Sequence, residues 1–210
     1  DDLSKSKDIT LSIDINLQQL VRENIKKTID YYNAESGLGI VMDITNGEIL
    51  SSVSLPDFNP HDKSSFNQSN LINRVFQSNY EMGSTFKPIT ATMGYDLDIL
   101  DSQMTFDIKK KYLGIGDYDK YKDNGIYNVE KIIVESSNIG TAQISTLIGK
   151  KNQKEFFEKI GFNKKIDIEN KESVTPLGNK NNWGKLETAT IGFGHGFAIT
   201  PLHLVKAYAS

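Results

Sequence analysis

Ser84 and Lys87 lie three residues apart in YEMGSTFKPIT, where a Gly–Ser pair opens an apolar, helix-like run. Residues three apart share a helical face, so the spacing predicts that the Ser84 hydroxyl and the Lys87 amine meet, as in an activated serine nucleophile. To act as the base, Lys87 must be neutral. An unperturbed lysine at pH 7 is neutral roughly once in 2,500, and a depression of about 2–3 pKa units makes it usable. Burial and a positive helix end both push that way, and the amides of the same helix start could supply half of an oxyanion hole. Ser136–Ser137–Asn138 offers a second hydroxyl to pass the proton on and an amide to hold a substrate. Each pattern also has a plain reading: Ser84 as a helix cap with Lys87 reaching solvent, and Ser136–Asn138 as capping residues. Ser–x–x–Lys alone is a weak signal, since Ser4 and Lys7 match it in a polar tail.

The elements that must position these groups are read from periodicity. Residues 1–8 are polar and expected to be poorly ordered. Ile9–Ile15 alternates as a strand would, and Leu17, Leu20, Val21, Ile25 and Ile29 predict an amphipathic helix from Asn16 to about Tyr32. Two β-rich runs, 38–45 and 48–55, flank Asn46–Gly47, a strong hairpin signal; the first is apolar throughout, as a strand covered on both faces would be. Residues 56–80 read as a loop. A helix is expected from near Ser84 through Leu100, its start fixed by Pro88, which is tolerated only in a first turn.

Residues 105–127 read as irregular structure with short strands, Lys109–Lys111 being a solvated face. Asn128 caps a short helix that Ser136–Asn138 interrupts. A second helix runs to Gly149, and a third spans Asn152–Ile160, closed by Gly161. Residues 163–190 are loop-rich and carry Trp183, read as a packing residue. GFGHG at 192–196 leads into a helix faced by Leu202, Val205 and Ala209. That helix reaches Ser210 with no stop signal, and no clear sheet partner follows residue 55, so the chain is expected to be cut short.

Composition narrows the function classes. The 210 residues are 38% hydrophobic and 24% charged, with net charge −3, which gives no electrostatic case for nucleic acid. Only Arg22 and Arg74 are arginines, against 22 lysines, so bidentate phosphate or carboxylate clamps are disfavoured. With no cysteine, a disulfide scaffold, a thiolate zinc site and a Cys nucleophile are excluded. His61, His195 and His203 are scattered and read as solvent or packing residues. No apolar run reaches the ~18 residues of a membrane span, and no signal peptide is seen, so an anchor is expected upstream of Asp1.

Ser–x–x–Lys followed by Ser–x–Asn is the order found in penicillin-binding proteins and class A β-lactamases, with Lys–Thr–Gly as the third motif. The chain resembles class B penicillin-binding protein transpeptidase domains through LSIDINLQQL, DITNGEILSSVSLPDFNP, RVFQSNYEMGSTFKP, VEKIIVESSNIGTAQIS and IGFGHGFAITPLHL. SLPDFNP and FGHG are most like the cell-division (septal) branch.

The resemblance implies an α+β fold of the penicillin-binding-protein/β-lactamase type, a helical cluster with an antiparallel sheet that is incomplete here. Residues 1–210 would be the N-terminal part of a single transpeptidase domain. It implies Ser84 as the acylated nucleophile, Lys87 as its base, Ser136 as the proton relay, and Asn138 as a hydrogen-bond partner of the acyl donor or a β-lactam side chain. It implies cross-linking of peptidoglycan stem peptides from lipid-linked precursor strands, acylation by β-lactams, and neither cofactor nor metal. Cell-division membrane proteins are the implied partners, at the cytoplasmic membrane with the catalytic part on the extracytoplasmic, periplasmic side.

Met82 stands where the family usually has Pro, a change expected to be tolerated. Lys–Thr–Gly is missing and expected beyond Ser210, so these residues alone are expected to react slowly or not at all with β-lactams. A serine β-lactamase, lacking here a convincing Glu-x-x-x-Asn motif, and a non-catalytic β-lactam sensor or scaffold are the alternatives.

Overall fold

Asp14 opens the first helix, α1 (Ile15–Tyr32): its extended backbone frees a carboxylate that accepts from the amides of Asn16 and Leu17 at 2.9 and 3.0 Å. Asn33 closes the helix in the left-handed region at φ 50, a conformation asparagine tolerates. These coordinates come from a computed structural model, which describes residues 9–117, 125–168, 172–178 and 183–210. The polar tail 1–8 lies outside the described residues, as do parts of the irregular 105–127 and 163–190 stretches. The strand expected over 9–15 does not form. Residues 9–14 are neither helix nor strand, tied down by Asp14 N to Leu50 O (3.0 Å) and Ser12 Oγ to Ile49 O (2.7 Å). Ile9 and Leu11 stay exposed, so their alternation buries nothing among the described residues. Removing the cap with Asp14→Ala is expected to cost about 1 kcal/mol, read as a lower urea midpoint, with Asp14→Asn near wild type.

The contacts divide the chain into two compact units, Asp1–Gln77 and Ser78–Tyr208. In the first, β1 (Gly37–Met42) pairs antiparallel with β2 (Ile49–Leu55), from Gly37 opposite Leu55 to Val41 opposite Ser51. Gln18 docks α1 on this hairpin, accepting from Ser51 Oγ and Ser52 N and donating to Ser52 O. The turn is not the two-residue Asn46–Gly47 turn expected. The Asp43 carboxylate captures Thr45 N (2.8 Å) and Thr45 Oγ1 (2.7 Å), which widens the connection to Asp43–Glu48 and shortens both strands. Residues 56–77, expected as loop, contain α2 (Gln68–Leu71) and α3 (Arg74–Gln77), with Val75 and Phe76 buried. The Asn and Asp residues that read as loop here cap single helical turns, as Asn67 does toward Asn70 N.

The second unit gathers its helices around one core. Among them α4 (Lys87–Asp96) and α5 (Val129–Val134) pack on α6 (Asn138–Lys159), which is broken at Gly149 (φ 81) into the two segments that the sequence implied. Two further helices, α7 (Lys185–Ile191) and α8 (Pro201–Tyr208), follow. Phe86 sits among Phe157, Phe162 and Phe197 with ring centroids 5.6–6.4 Å away. Trp183 packs on Phe157 and Phe197, the packing role expected of it. The fourth helix stops short of Leu100, because Leu100 N folds back onto Gly94 O and Asp98 turns to φ 53.

As expected, no strand after residue 55 joins the β1–β2 hairpin among the described residues; the later strands pair only with one another. Strands β4 (Thr105–Asp107) and β5 (Ile126–Asn128) pair with each other, and β7 (Phe197–Ile199) lies between β3 (Tyr80–Glu81) and β6 (Leu177–Gly178). All are antiparallel and two or three residues long, too short for a periodicity of two to register. The α+β class stands. The Lys109–Lys111 run is exposed, as read.

Candidate active site

Ser84 sits in a 3-10 turn, Gly83–Phe86, that feeds directly into α4. The turn is anchored by Phe86, fully buried in the aromatic core, and by Thr85 Oγ1 donating to Met82 O at 2.7 Å. Ser84 is exposed, whereas Lys87 is only 2% exposed. Met82 has φ −76, inside the range that proline itself adopts, which supports the tolerance expected at that position.

The polar chain runs through Ser136. Lys87 Nζ donates to the Ser136 carbonyl and to Ser136 Oγ at 2.9 Å, and Ser136 Oγ lies 3.1 Å from Ser84 Oγ. The direct meeting of Ser84 and Lys87 predicted from their spacing is absent: they share no hydrogen bond among the described residues, and Ser136 stands between them. The reason is local. The tight turn leaves Ser84 outside while Lys87 begins the buried helix. Burial pushes the Lys87 ammonium down to about 8, against an opposing pull from the Asp117 charge.

Ser136 holds a positive φ of 52, uncommon for a residue other than glycine. Ser137 caps α6, accepting from Gly140 N at 2.9 Å. Asn138 is the first residue of that helix; its side chain makes no hydrogen bond among the described residues and is partly exposed beside Ser136.

Sequence reasoning missed Asp117. Its carboxylate accepts from Ser137 Oγ (2.5 Å), Asn138 N (2.5 Å) and Ile139 N (3.0 Å), fixing the Ser136–Asn138 turn beneath the two hydroxyls. One aspartate among several in an irregular stretch, twenty residues from the turn it holds, carries no local signal.

A second loop presses on the Ser84 turn. Gly83 N donates to Gly194 O at 3.2 Å, and a Cβ added at Gly194 would lie 2.3–2.9 Å from the Gly83 backbone. Gly194 also has φ 77, so Gly194→Ala combines a clash with a strained conformation. It is expected to destabilise the fold by about 1–3 kcal/mol, measured by chemical denaturation. From the other side, Tyr208 Oη donates to Thr85 O at 2.6 Å. Of the histidines, His203 is buried between Thr200 Oγ1 and Lys164 O, and His61 is exposed.

Residues 37–210 match the family model of the penicillin binding protein transpeptidase domain. The chain belongs to that family. The chain is 32% identical over 199 residues to the probable peptidoglycan D,D-transpeptidase FtsI of Caulobacter vibrioides, covering 94% of this chain and 34% of that protein. It is 29% identical over 205 residues to the probable peptidoglycan D,D-transpeptidase PenA of Neisseria flavescens, covering 96% and 50%. In structure it is similar to the apo transpeptidase (TP) domain of Burkholderia pseudomallei penicillin-binding protein 3, with TM-score 0.81 and 26% identity over 95% of this chain and 56% of that one. These relatives agree with the class B, septal-branch resemblance read from the sequence segments. The chain spans about a third to a half of the length of these curated relatives.

Proposed function

We propose that residues 1–210 are the N-terminal part of a single transpeptidase domain of a peptidoglycan D,D-transpeptidase, with Ser84 as the acylated nucleophile. The observation that carries this reading is the polar chain from buried Lys87 through Ser136 Oγ to Ser84 Oγ. With Lys87 neutral, rotation of the two hydroxyls reverses the chain, so that Ser84 donates to Ser136 and Ser136 donates to the amine lone pair. Ser84 Oγ then attacks the carbonyl carbon of the penultimate D-Ala of a stem peptide. Its proton passes through Ser136 to Lys87, and the same route returns a proton to the amine of the departing D-Ala. An amine of a second strand attacks the Ser84 ester, its proton taken up by the same groups, and Ser84 is regenerated. A β-lactam opens on Ser84 by the first step alone.

Asn138 is positioned to hydrogen-bond the acyl donor. The first amides of a helical turn have no acceptor within it, and those of the Ser84 turn can receive part of the oxyanion. A Lys–Thr–Gly strand elsewhere in the full-length protein would supply the rest and hold the substrate carboxylate. No helix among the described residues is long and apolar enough to cross a membrane. We infer an anchor outside this stretch, a catalytic part on the extracytoplasmic (periplasmic) face of the cytoplasmic membrane, and cell-division membrane proteins as partners.

Mass spectrometry of the full-length protein after benzylpenicillin treatment, with peptide mapping, is expected to find one stoichiometric, long-lived adduct on Ser84. An unmodified Ser84 in folded protein overturns the assignment. Rapid turnover of nitrocefin marks a β-lactamase instead, and an adduct without cross-linking of stem peptides marks a sensor.

A further inference from the structure

Glu81 lies two residues before the Ser84 turn and takes no part in the polar chain, yet each of its carboxylate oxygens has a protein partner. Oε1 accepts from Gly196 N at 2.8 Å, and Oε2 pairs with His195 Nδ1 at 2.9 Å. Its backbone is paired with Ala198 in the β3–β7 ladder, and Gly83 N bonds Gly194 O two residues further on. Residues 81–83 are thus gripped at successive points by residues 194–198, and Ser84 follows immediately.

The grip is exerted on backbone that would otherwise be loose. Gly83, Gly194 and Gly196 all adopt positive φ (56, 77 and 83), conformations reached cheaply by glycine and lost as easily without restraint. A carboxylate that accepts from both His195 and Gly196 orders this loop with one group. It then fixes Gly194 against Gly83, where Gly194 has no room for a side chain.

We propose that Glu81 is a positioning residue for acyl transfer: by clasping the 194–196 turn it sets the place of Ser84 Oγ relative to Ser136. This rests on the acyl-transfer reading of Ser84. A nucleophile displaced by about 1 Å can lose 10²-fold in rate while binding is little changed.

In the full-length protein, Glu81→Ala is expected to lower the rate constant for acylation by benzylpenicillin about 10–100-fold, and to change the noncovalent binding constant by less than about 3-fold. Glu81→Gln keeps an acceptor for Gly196 N and offers an amide donor to a neutral His195, so it is expected within about 3-fold of wild type. Glu81→Asp, with its carboxylate withdrawn by one methylene, is expected about 10-fold slow and carries the test if Glu81→Ala does not fold. A wild-type rate in Glu81→Ala or Glu81→Asp, a Glu81→Gln as slow as the alanine variant, or a loss confined to binding overturns the proposal.

Hydrogen exchange gives a readout independent of acylation. Amides 83–86 and 194–196 are expected to exchange faster in the alanine or aspartate variant, with those of α6 unchanged; unaltered exchange overturns the clasp. Faster exchange in protein whose wild-type Ser84 never takes an adduct supports the clasp and removes the transpeptidase reading instead.

Discussion

Full-length protein carrying Lys87→Met is expected to be acylated by benzylpenicillin about 10³-fold more slowly than wild type, the scale of a lost general base. Methionine keeps the buried volume of the side chain without its amine, so the polar chain ends at Ser136 with no group to take the proton. The pH dependence gives the sign. A Lys87 pKa of about 8 leaves roughly one molecule in ten neutral at pH 7 and half at pH 8, so the wild-type rate should climb with pH and level off above about 9. Stopped-flow acylation between pH 6 and 9.5 checks this, and Lys87→Met should lack the limb.

The same depression has a consequence for folding. In the unfolded chain Lys87 titrates near 10.5, so at pH values below about 8 the folded state bears the cost of holding a buried ammonium, of order 3 kcal/mol. That cost is relieved as pH rises from about 8 to 10.5, where only the unfolded chain stays protonated. The stability of wild type relative to Lys87→Met is therefore expected to increase across that window, measured by urea unfolding at fixed pH.

The second large effect is expected at Asp117. Asp117→Ala strips the acceptor from Ser137 Oγ and from the amides of Asn138 and Ile139, leaving donors at a helix start without partners, at about 1–3 kcal/mol for a buried donor. Ser136, held at positive φ by that turn, loses its fixed place between Lys87 and Ser84. A loss of about 3 kcal/mol in stability and about 10²-fold in acylation is expected.

Asp117→Asn separates geometry from charge. Both amides bond one carboxylate oxygen, Oδ1, which an asparagine carbonyl can replace, so most of the stability should remain. The negative charge that holds the Lys87 pKa up is gone. The rising limb of the acylation profile should then move to lower pH than in wild type. A limb that moves upward or does not move would show that Asp117 acts on Lys87 through geometry alone.

What could be read without coordinates was local. The 3.6-residue repeat from Leu17 to Ile29 gives α1 because one face must pack on the hairpin, and Pro88 marks the start of α4 because proline has no N–H for a helix interior. Gly149 divides the long sixth helix for a similar reason of backbone freedom. Failures occurred where side chains compete with backbone patterns. Asp43 remade the hairpin turn, and Asn and Asp caps wound single helical turns in a stretch that reads as loop.

The sequence by itself determined the family, through its flanking segments, and the candidates for its chemistry: Ser84, Lys87, Ser136 and Asn138 are legible as residue types at short spacings within two motifs. Only the tertiary structure decided how they connect. It put Ser136 between Ser84 and Lys87, buried Lys87 while leaving Ser84 exposed, set Asp117 under the Ser136–Asn138 turn, bound the Ser84 turn to Gly194, and bound Glu81 to His195 and Gly196. Each of these joins residues twenty to more than a hundred positions apart, through side-chain hydrogen bonds and close packing. Helical and strand periodicities describe how a segment meets its own neighbours, so contacts of that range leave no mark in them.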